Sequence, residues 1–311
     1  MFYTWTRAAE LSKKVRRTPF EGVSPELRGW NWSQSPVAPL YDVQLPVSDI
    51  APGYCPTGRN VYLKYVAHTR QSPNPILERG TLVHAARSHA IAAAKETVRA
   101  RPPSGQAFLR EMEEKAARDV ERLLSRLRAT PPEEARWIPE KVWSMASITY
   151  AAEYEHATAR SRHLDTPTLE ALVAPEQPEF PVDGTPLGLT PTLRVDSLLP
   201  SGIIIEVKTR PPRYDHLLAI AGYAMALESM FGTPYDYAVL LHVHLDQRRR
   251  TLKVYEHVEG LGDQLRSDFL RRRDELHRVV AEEYDPGLPD ECSPACPYLH
   301  ACKPAKVADK P

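Results

Sequence analysis

The sequence has no excess of charge of either sign, which limits what bulk charge can indicate about partners. Its 311 residues contain 40 Lys and Arg against 40 Asp and Glu, so the formal net charge is +0. Proteins that coat nucleic acid without sequence preference are usually basic overall, and the composition disfavours that class. A local basic channel is enough to hold a phosphate backbone, so an enzyme acting on nucleic acid stays open.

Long apolar runs are also missing. The longest, at roughly 217–227, is too short for a bilayer-spanning helix, which needs about 20 apolar residues. The N-terminal stretch MFYTWTRAAELSKKVRR has no uninterrupted apolar core of the kind that a signal peptide carries. These features predict a soluble, cytoplasmic protein with no membrane partner.

Cysteine is scarce, and its four positions are unevenly distributed. Cys55 stands alone, whereas Cys292, Cys296 and Cys302 form a C-x3-C-x5-C group within ECSPACPYLHAC. In a reducing compartment such cysteines are better metal ligands than disulfide partners. The pattern suits either zinc or an iron–sulfur centre, and in both cases the ligands would join the two ends of the chain.

The remaining sequence alternates between helical and strand-like segments. Its predicted divisions are an irregular N-terminal region at 1–75, a first helix at 76–104, a helical insertion at 105–165, a core at 166–285 and a cysteine region at 286–311. Within the core, the pattern predicts short β-like runs over 168–208, a helix over 214–231, strands over 237–245 and 251–258, and a charged helix over 262–282. This layout predicts an α/β fold with one mixed sheet.

The segment LRVDSLLPSGIIIEVKT, at 193–209, predicts a β-hairpin. Two apolar strands flank Pro200-Ser201-Gly202, which is suited to a three-residue hairpin loop. If Leu199 faces Ile203 across this loop, Asp196 lies opposite Glu206, and Arg194 lies opposite Lys208. Facing Cβ atoms in such a pair are about 5 Å apart.

Two carboxylates at that distance repel each other unless a cation lies between them, and Mg²⁺ and Mn²⁺ favour carboxylate oxygens. Lys208 shares a face with Glu206 because side chains alternate along a strand, and its charge suits a phosphoryl-transfer transition state. A solvated surface hairpin is the alternative. The three consecutive isoleucines at 203–205 favour a buried strand instead, where a carboxylate is costly and usually functional.

The pattern D-x9-E-x-K, preceded by RG-x3-H at 79–84 and followed by a helix with Tyr223, resembles the RecB-like branch of the PD-(D/E)XK nucleases. The resemblance implies a restriction-endonuclease-like mixed sheet flanked by helices. It also implies that Mg²⁺ or Mn²⁺ is bound by His84, Asp196 and Glu206, and that the catalytic residues are Lys208, Asp196, Glu206 and Tyr223. The family helix usually carries Gln four residues before its Tyr, where this sequence has Ala219.

The one-plus-three cysteines resemble those of iron–sulfur RecB-family nucleases, in which a [4Fe–4S] cluster staples the nuclease ends. By this resemblance the cluster ligands are Cys55, Cys292, Cys296 and Cys302, although the family's terminal group is usually C-x2-C-x5-C. The chain is most similar to the CRISPR-associated Cas four group and its archaeal type I-A relative, which has an RGWNW-like segment. This implies a single-strand DNA exonuclease that trims spacer precursors beside CRISPR integrase proteins.

Two alternatives remain open. Ala219 favours a catalytically weak, cluster-bearing DNA-binding subunit of an adaptation complex. A zinc-stapled protein outside DNA processing also fits the cysteines. The basic runs at 13–17, 248–250 and 271–273 could contact phosphates, although such runs are typical of solvated faces.

Overall fold

The computed structural model describes residues 1–51, 54–161, 163–302 and 307. The last residues of the predicted cysteine region, 303–306 and 308–311, therefore lie outside the described residues. A five-stranded mixed sheet organises the fold, with strands β1 (Gln177–Val182), β2 (Leu193–Leu198), β3 (Ile204–Lys208), β4 (Tyr237–Asp246) and β5 (Thr251–Gly260).

The strands lie in chain order across the sheet. β1, β2 and β3 pair antiparallel, β3 and β4 pair parallel, and β4 and β5 pair antiparallel. A parallel pair needs a long crossover, and here the connection between β3 and β4 contains a helix. The mixed α/β sheet predicted from the sequence is thus confirmed.

Helices cover both faces of the sheet. Those of eight or more residues in the described part are α1 (Trp5–Val15), α2 (Pro75–Ala100), α3 (Gly105–Leu124), α4 (Trp137–Arg160), α5 (Thr166–Val173), α6 (Tyr214–Phe231) and α7 (Asp263–Ala281). One apolar core joins α1 to α5 to one face of the sheet through Ile205, Val207 and Leu241. The other joins α6 and α7 to the opposite face through Ile204, Ala238 and Leu240. None of the helices in these ranges is long and apolar enough to cross a membrane.

Two local expectations are wrong. The region 1–75 is not wholly irregular, because α1 begins at a Thr4 cap whose side chain accepts the Arg7 N–H. The start of the run 168–208 is helical as far as Val173, because the Asp165 carboxylate caps α5 and proline occupies its first turn. Capping and proline at the first turn outweighed the β-like composition at that point.

The N-terminus is anchored in the core. Tyr3 is 0% exposed, and its backbone N–H donates to the Glu176 carboxylate at 2.7 Å. The same carboxylate pairs with the buried guanidinium of Arg87 on α2, whose Nε donates to the Met1 carbonyl. These contacts connect the first residues of the chain to α2 and to the segment that leads into β1.

Candidate active site

The hairpin between β2 and β3 forms as predicted around its loop. Gly202 has φ +77, and its N–H donates to the Leu199 carbonyl at 2.9 Å. This left-handed conformation is one that glycine adopts at little steric cost. The Leu199 N–H donates to the Ile203 carbonyl at 3.0 Å, which confirms that these residues face each other.

Beyond the loop, the strand ladder is shorter than the sequence predicts. It pairs Leu198 with Ile204 and Ser197 with Ile205, in the predicted register. At the next position the Asp196 side chain replaces the backbone, because its Oδ2 accepts the Val207 N–H at 2.7 Å. The ladder therefore does not continue to Arg194 and Lys208.

The Arg194 side chain consequently points towards β1 and away from β3. Its Nη1 donates to the Glu179 carbonyl on β1 at 3.1 Å, while Lys208 pairs in register with His242 on β4. The expected opposition of Arg194 and Lys208 is wrong, since the two strands separate where the Asp196 carboxylate enters the ladder.

The structure nevertheless brings four of the predicted side chains together. His84 Nδ1 on α2 lies 3.1 Å from Asp196 Oδ1, and Lys208 Nζ lies 2.5 Å from Glu206 Oε1. Side-chain exposure is 28% for His84 and 18% for Asp196, but 4% for Glu206. The site therefore has one open side and one buried side.

These contacts shift the two carboxyl pKa values in opposite directions. Burial disfavours ionisation of Asp196, but His84, Lys208 and the Val207 N–H outweigh it and hold the Asp196 pKa below its usual range. Burial and the neighbouring Asp196 charge raise the pKa of Glu206, against the opposing effect of Lys208. Asp196 therefore stays ionised at a lower pH than Glu206 does.

One oxygen atom of this site is suited to binding a cation. Glu206 Oε2 is buried and has no hydrogen-bond partner among the described residues. Unpaired buried oxygens are rare in proteins, and a hard divalent cation is a suitable partner for one. No set of three or more His, Cys, Asp or Glu in the described ranges has the geometry of a metal site as it stands. The assignment of His84, Asp196 and Glu206 as ligands therefore stays a prediction.

Tyr223 also lies near the carboxylates. Burial raises its pKa well above the usual value, and the charges of Glu206 and Asp196 raise it further. One turn earlier on α6, Ala219 is 3% exposed and packs in the apolar core. The position usually held by Gln is therefore a packing position in this chain.

Glu179 on β1 is a site residue that the sequence reasoning missed. Burial raises its pKa, and the Asp196 charge raises it further, so a third carboxyl group borders the site. Its backbone has φ +49, a conformation that non-glycine residues rarely adopt outside functional or strained positions. Neither its composition nor its spacing from Asp196 marks it in the sequence.

The two chain ends meet at the cysteine region. The Ser72 N–H donates to the Pro297 carbonyl at 3.0 Å, and Asn74 Nδ2 donates to the Pro294 carbonyl at 2.9 Å. Arg59 forms a bidentate pair with Asp285, with Nη2 to Oδ2 at 2.7 Å. These contacts hold the segment after Cys55 against the C-terminal group.

The thiols themselves are close enough to influence one another. Cys55, Cys292 and Cys296 are buried, and Cys302 is half-buried. Burial raises the pKa of Cys296 to about 11, and the charges of the other three cysteines raise it further. Burial likewise raises the pKa of Cys292 and of Cys302. All four are free thiols, and no three of them within the described ranges have the geometry of a metal site as they stand. The assignment of Cys55, Cys292, Cys296 and Cys302 as ligands of one centre therefore stays a prediction.

Fold and site together define an α/β protein whose mixed sheet presents a histidine, two carboxylates and a lysine at one hairpin. A family model described as CRISPR-associated exonuclease Csa1 matches residues 1–305. A protein of that name from Saccharolobus solfataricus is 34% identical over 305 residues, covering 98% of this chain and 100% of the relative. Another from Thermoproteus tenax is 33% identical over 290 residues, covering 93% and 95%. The chain belongs to the CRISPR-associated exonuclease Csa1 family, so the expected family is confirmed.

Proposed function

We propose that this protein is a Mg²⁺- or Mn²⁺-dependent DNA exonuclease of the PD-(D/E)XK type. The observation that carries the proposal is the convergence of His84, Asp196, Glu206 and Lys208, with Glu206 Oε2 buried and unpaired within the described residues. The family's name supplies the reaction class, since both relatives are called CRISPR-associated exonucleases.

Each side chain has a role that its surroundings support. His84, Asp196 and Glu206 would hold the metal, which when bound supplies an activated water and polarises a phosphoryl oxygen. Asp196 keeps its negative charge over the widest pH range, because its pKa is lowered. Lys208 keeps its positive charge, because Glu206 raises its pKa against the effect of burial, and it stabilises charge at the reacting phosphate. Tyr223 borders the same carboxylates.

We infer that the substrate is single-stranded DNA or DNA with single-stranded overhangs. The likeness to the Cas four group supports this preference. The same likeness, with the CRISPR-associated name of the relatives, supports a role in processing spacer precursors beside the integrase proteins of CRISPR adaptation.

We further propose that Cys55, Cys292, Cys296 and Cys302 bind a [4Fe–4S] cluster, which would hold the two ends of the chain together. The role is supported by four free thiols, three of which influence the pKa of Cys296, and by the hydrogen bonds that join 72–74 to 294–297. Zinc is the alternative for the same donors. Because Zn²⁺ is d¹⁰ and colourless, a brown anaerobic preparation that absorbs at about 400 nm supports the cluster. A colourless preparation that contains zinc contradicts it.

The catalytic proposal is tested by cleavage of end-labelled single-stranded DNA with Mn²⁺. Asp196→Asn keeps the size of the side chain but removes its charge, and we expect it to abolish cleavage. Asp183→Asn is the matched control, because Asp183 is an exposed carboxylate between β1 and β2 whose Oδ1 accepts hydrogen bonds from the Thr185 N–H and hydroxyl. If Asp196→Asn cuts DNA as the parent does, the β2–β3 hairpin is not the active site.

The alternative of a catalytically weak DNA-binding subunit is motivated by Ala219 on α6. It is favoured if the parent, with its metal centre intact, binds single-stranded DNA but cuts none with Mg²⁺ or Mn²⁺. Introducing glutamine by Ala219→Gln would then distinguish a missing contact from a missing function. Because Ala219 is packed in the core, loss of stability must be measured in parallel.

A further inference from the structure

Two histidines, His216 and His242, lie on the Lys208 side of the site and take no part in the roles above. Lys208 on β3 and His242 on β4 are register partners, so both side chains lie on the same face of the sheet. Helix α6 packs on that face through Ile204 and Leu240. Its first turn carries His216, only a few residues after Lys208.

His216 is a buried histidine of α6. It is 1% exposed, and neither ring nitrogen has a hydrogen-bond partner among the described residues. His242 Nε2 is likewise buried and has no hydrogen-bond partner among the described residues. Buried polar atoms are nearly always paired, so the two His216 nitrogens and His242 Nε2, unpaired within the described residues, call for a ligand that supplies the partner.

The charges around His216 indicate that this ligand is an anion. Burial lowers the pKa of His216 to about 3, and the positive charges of Lys208, Arg210 and Arg213 contribute in the same direction. The N-terminus of α6 adds a positive field from its backbone N–H groups, which no side chain of the described residues caps.

Three carboxylates also lie near these cations. Glu206 pairs with Lys208, Asp196 raises the pKa of Lys208, and Asp215 Oδ2 lies 3.9 Å from Arg213 Nε. Asp196 and Glu206 are the proposed metal ligands, so a bound metal would neutralise them and leave the cations and the helix N-terminus facing Asp215. The sum favours an anion beside Lys208 over a second divalent cation.

We propose that His216, together with His242, binds the DNA phosphate that neighbours the cleaved one, on the Lys208 side of the site. The inference rests on the proposed nuclease function and names a substrate subsite that the carboxylates do not provide. A neutral imidazole donates one N–H, which suits a phosphate oxygen. The His242 ring is held in place by Tyr255, whose ring stacks on it with centroids 5.7 Å apart and planes at 26°.

The test compares His216→Phe with a matched variant, His277→Phe. His277 on α7 is also buried, but its neighbours are the Gly188 backbone, which raises its pKa by hydrogen bonding, and the Arg273 side chain. The probe is a fluorescein-labelled single-stranded oligonucleotide, titrated in EDTA and followed by anisotropy. We expect His216→Phe to weaken binding about 10-fold, the effect of losing one hydrogen bond to a charged group. His277→Phe should bind as the parent does.

A substrate-side measurement identifies the phosphate. In an oligonucleotide with one neutral methylphosphonate linkage, the parent should cut the adjacent linkage more slowly than in unmodified DNA. His216→Phe should lose this discrimination, and His216→Asn, which retains a donor, should restore part of it. His242→Phe gives a second reading if the α6 variants fold poorly, because His242 lies on a strand and is half-buried.

The outcomes separate the two claims. If the parent cuts DNA while His216→Phe binds and discriminates as the parent does, the phosphate subsite is wrong and the nuclease stands. If the parent neither binds nor cuts DNA, the proposed function fails and the subsite fails with it. Equal losses in His216→Phe and His277→Phe would show a general packing defect and would also overturn the subsite.

Discussion

Asp196 and Glu206 are carboxyl groups of one site, yet their pKa values shift in opposite directions. Asp196 has His84 and a backbone N–H as partners, whereas Glu206 is more buried and lies next to the Asp196 charge. Glu179 borders the same site and is held at a positive φ. At the scale of the residue, ionisation therefore follows from neighbours and burial more than from residue type.

Glu179→Gly should relieve the left-handed backbone at this position. We expect the free energy of unfolding to rise by about 1 kcal/mol, since non-glycine residues pay a penalty of that order in this region. Glu179→Gln is the matched control, because it removes the charge near Asp196 and leaves the backbone strained. Urea denaturation of both variants separates the two effects, and a gain only in Glu179→Gln would show that charge repulsion dominates.

His277 should make stability depend on pH. Burial lowers its folded-state pKa from 6.5 to about 4, so the unfolded chain binds the proton first as the pH falls. Stability from this group is complete above pH 6.5 and decreases down to about pH 4, at about 1.4 kcal/mol for each pKa unit. His277→Phe should flatten this part of the profile, measured by urea unfolding between pH 6.5 and 4.5. If stability falls as steeply with pH in His277→Phe as in the parent, the lowered pKa of His277 does not cause the pH dependence.

At the scale of elements, close packing of α6 and α7 holds one wall of the site. A Cβ at Gly222 on α6 would lie 2.4 Å from the Phe269 ring on α7. At Gly29, a Cβ would lie 1.9 Å from the Met225 carbonyl oxygen on the same helix α6. Glycine at these positions allows the N-terminal segment and α7 to approach α6 closely, and α6 in turn places His216 and Tyr223 beside the sheet.

Gly222→Ala should therefore destabilise the protein, although alanine is the better helix former. Overpacking a core usually costs about 1–3 kcal/mol, and the Phe269 ring must move to admit the methyl group. Gly262→Ala is the control, since a Cβ there has its nearest neighbour at 3.7 Å. Thermal unfolding compares the two, and a Gly222→Ala variant as stable as the parent would show that the helices shift freely.

At the scale of the whole molecule, a buried ion network ties the N-terminal region to α6 and α7. The Arg266 guanidinium on α7 donates to both carboxylate oxygens of Glu228 on α6, at 2.7 and 2.9 Å. Arg28 donates to Glu228 and Asp236, at 2.8 and 2.5 Å. Arg266 and Glu228 are both 0% exposed, so their charges depend on the partners within this network for neutralisation.

Arg266→Leu would leave Glu228 buried beside fewer cations, and we expect a loss of about 3–5 kcal/mol in the free energy of unfolding. Arg271→Leu on the same helix is the control. Its side chain is 69% exposed and pairs with Asp268, an interaction worth at most about 1 kcal/mol. Equal losses in the two variants would refute the importance of the buried network.

The sequence by itself determined the local elements of this protein. The α6 range, the hairpin loop and the paired strands β4 and β5 follow from periodicity, turn residues and caps, which act over a few neighbouring residues. The motif spacings also indicated the family. The local signals failed at α1 and α5, where caps outweighed composition.

Only the tertiary structure decided which distant side chains meet. It placed Glu179 beside Asp196, His216 beside Lys208, and buried Arg273, one member of a basic run, where it donates to the Val37 and Leu187 carbonyls. It also ended the β2–β3 ladder at the Asp196 carboxylate. Burial, pKa and unpaired atoms depend on packing between segments far apart in the chain, and no local pattern encodes them.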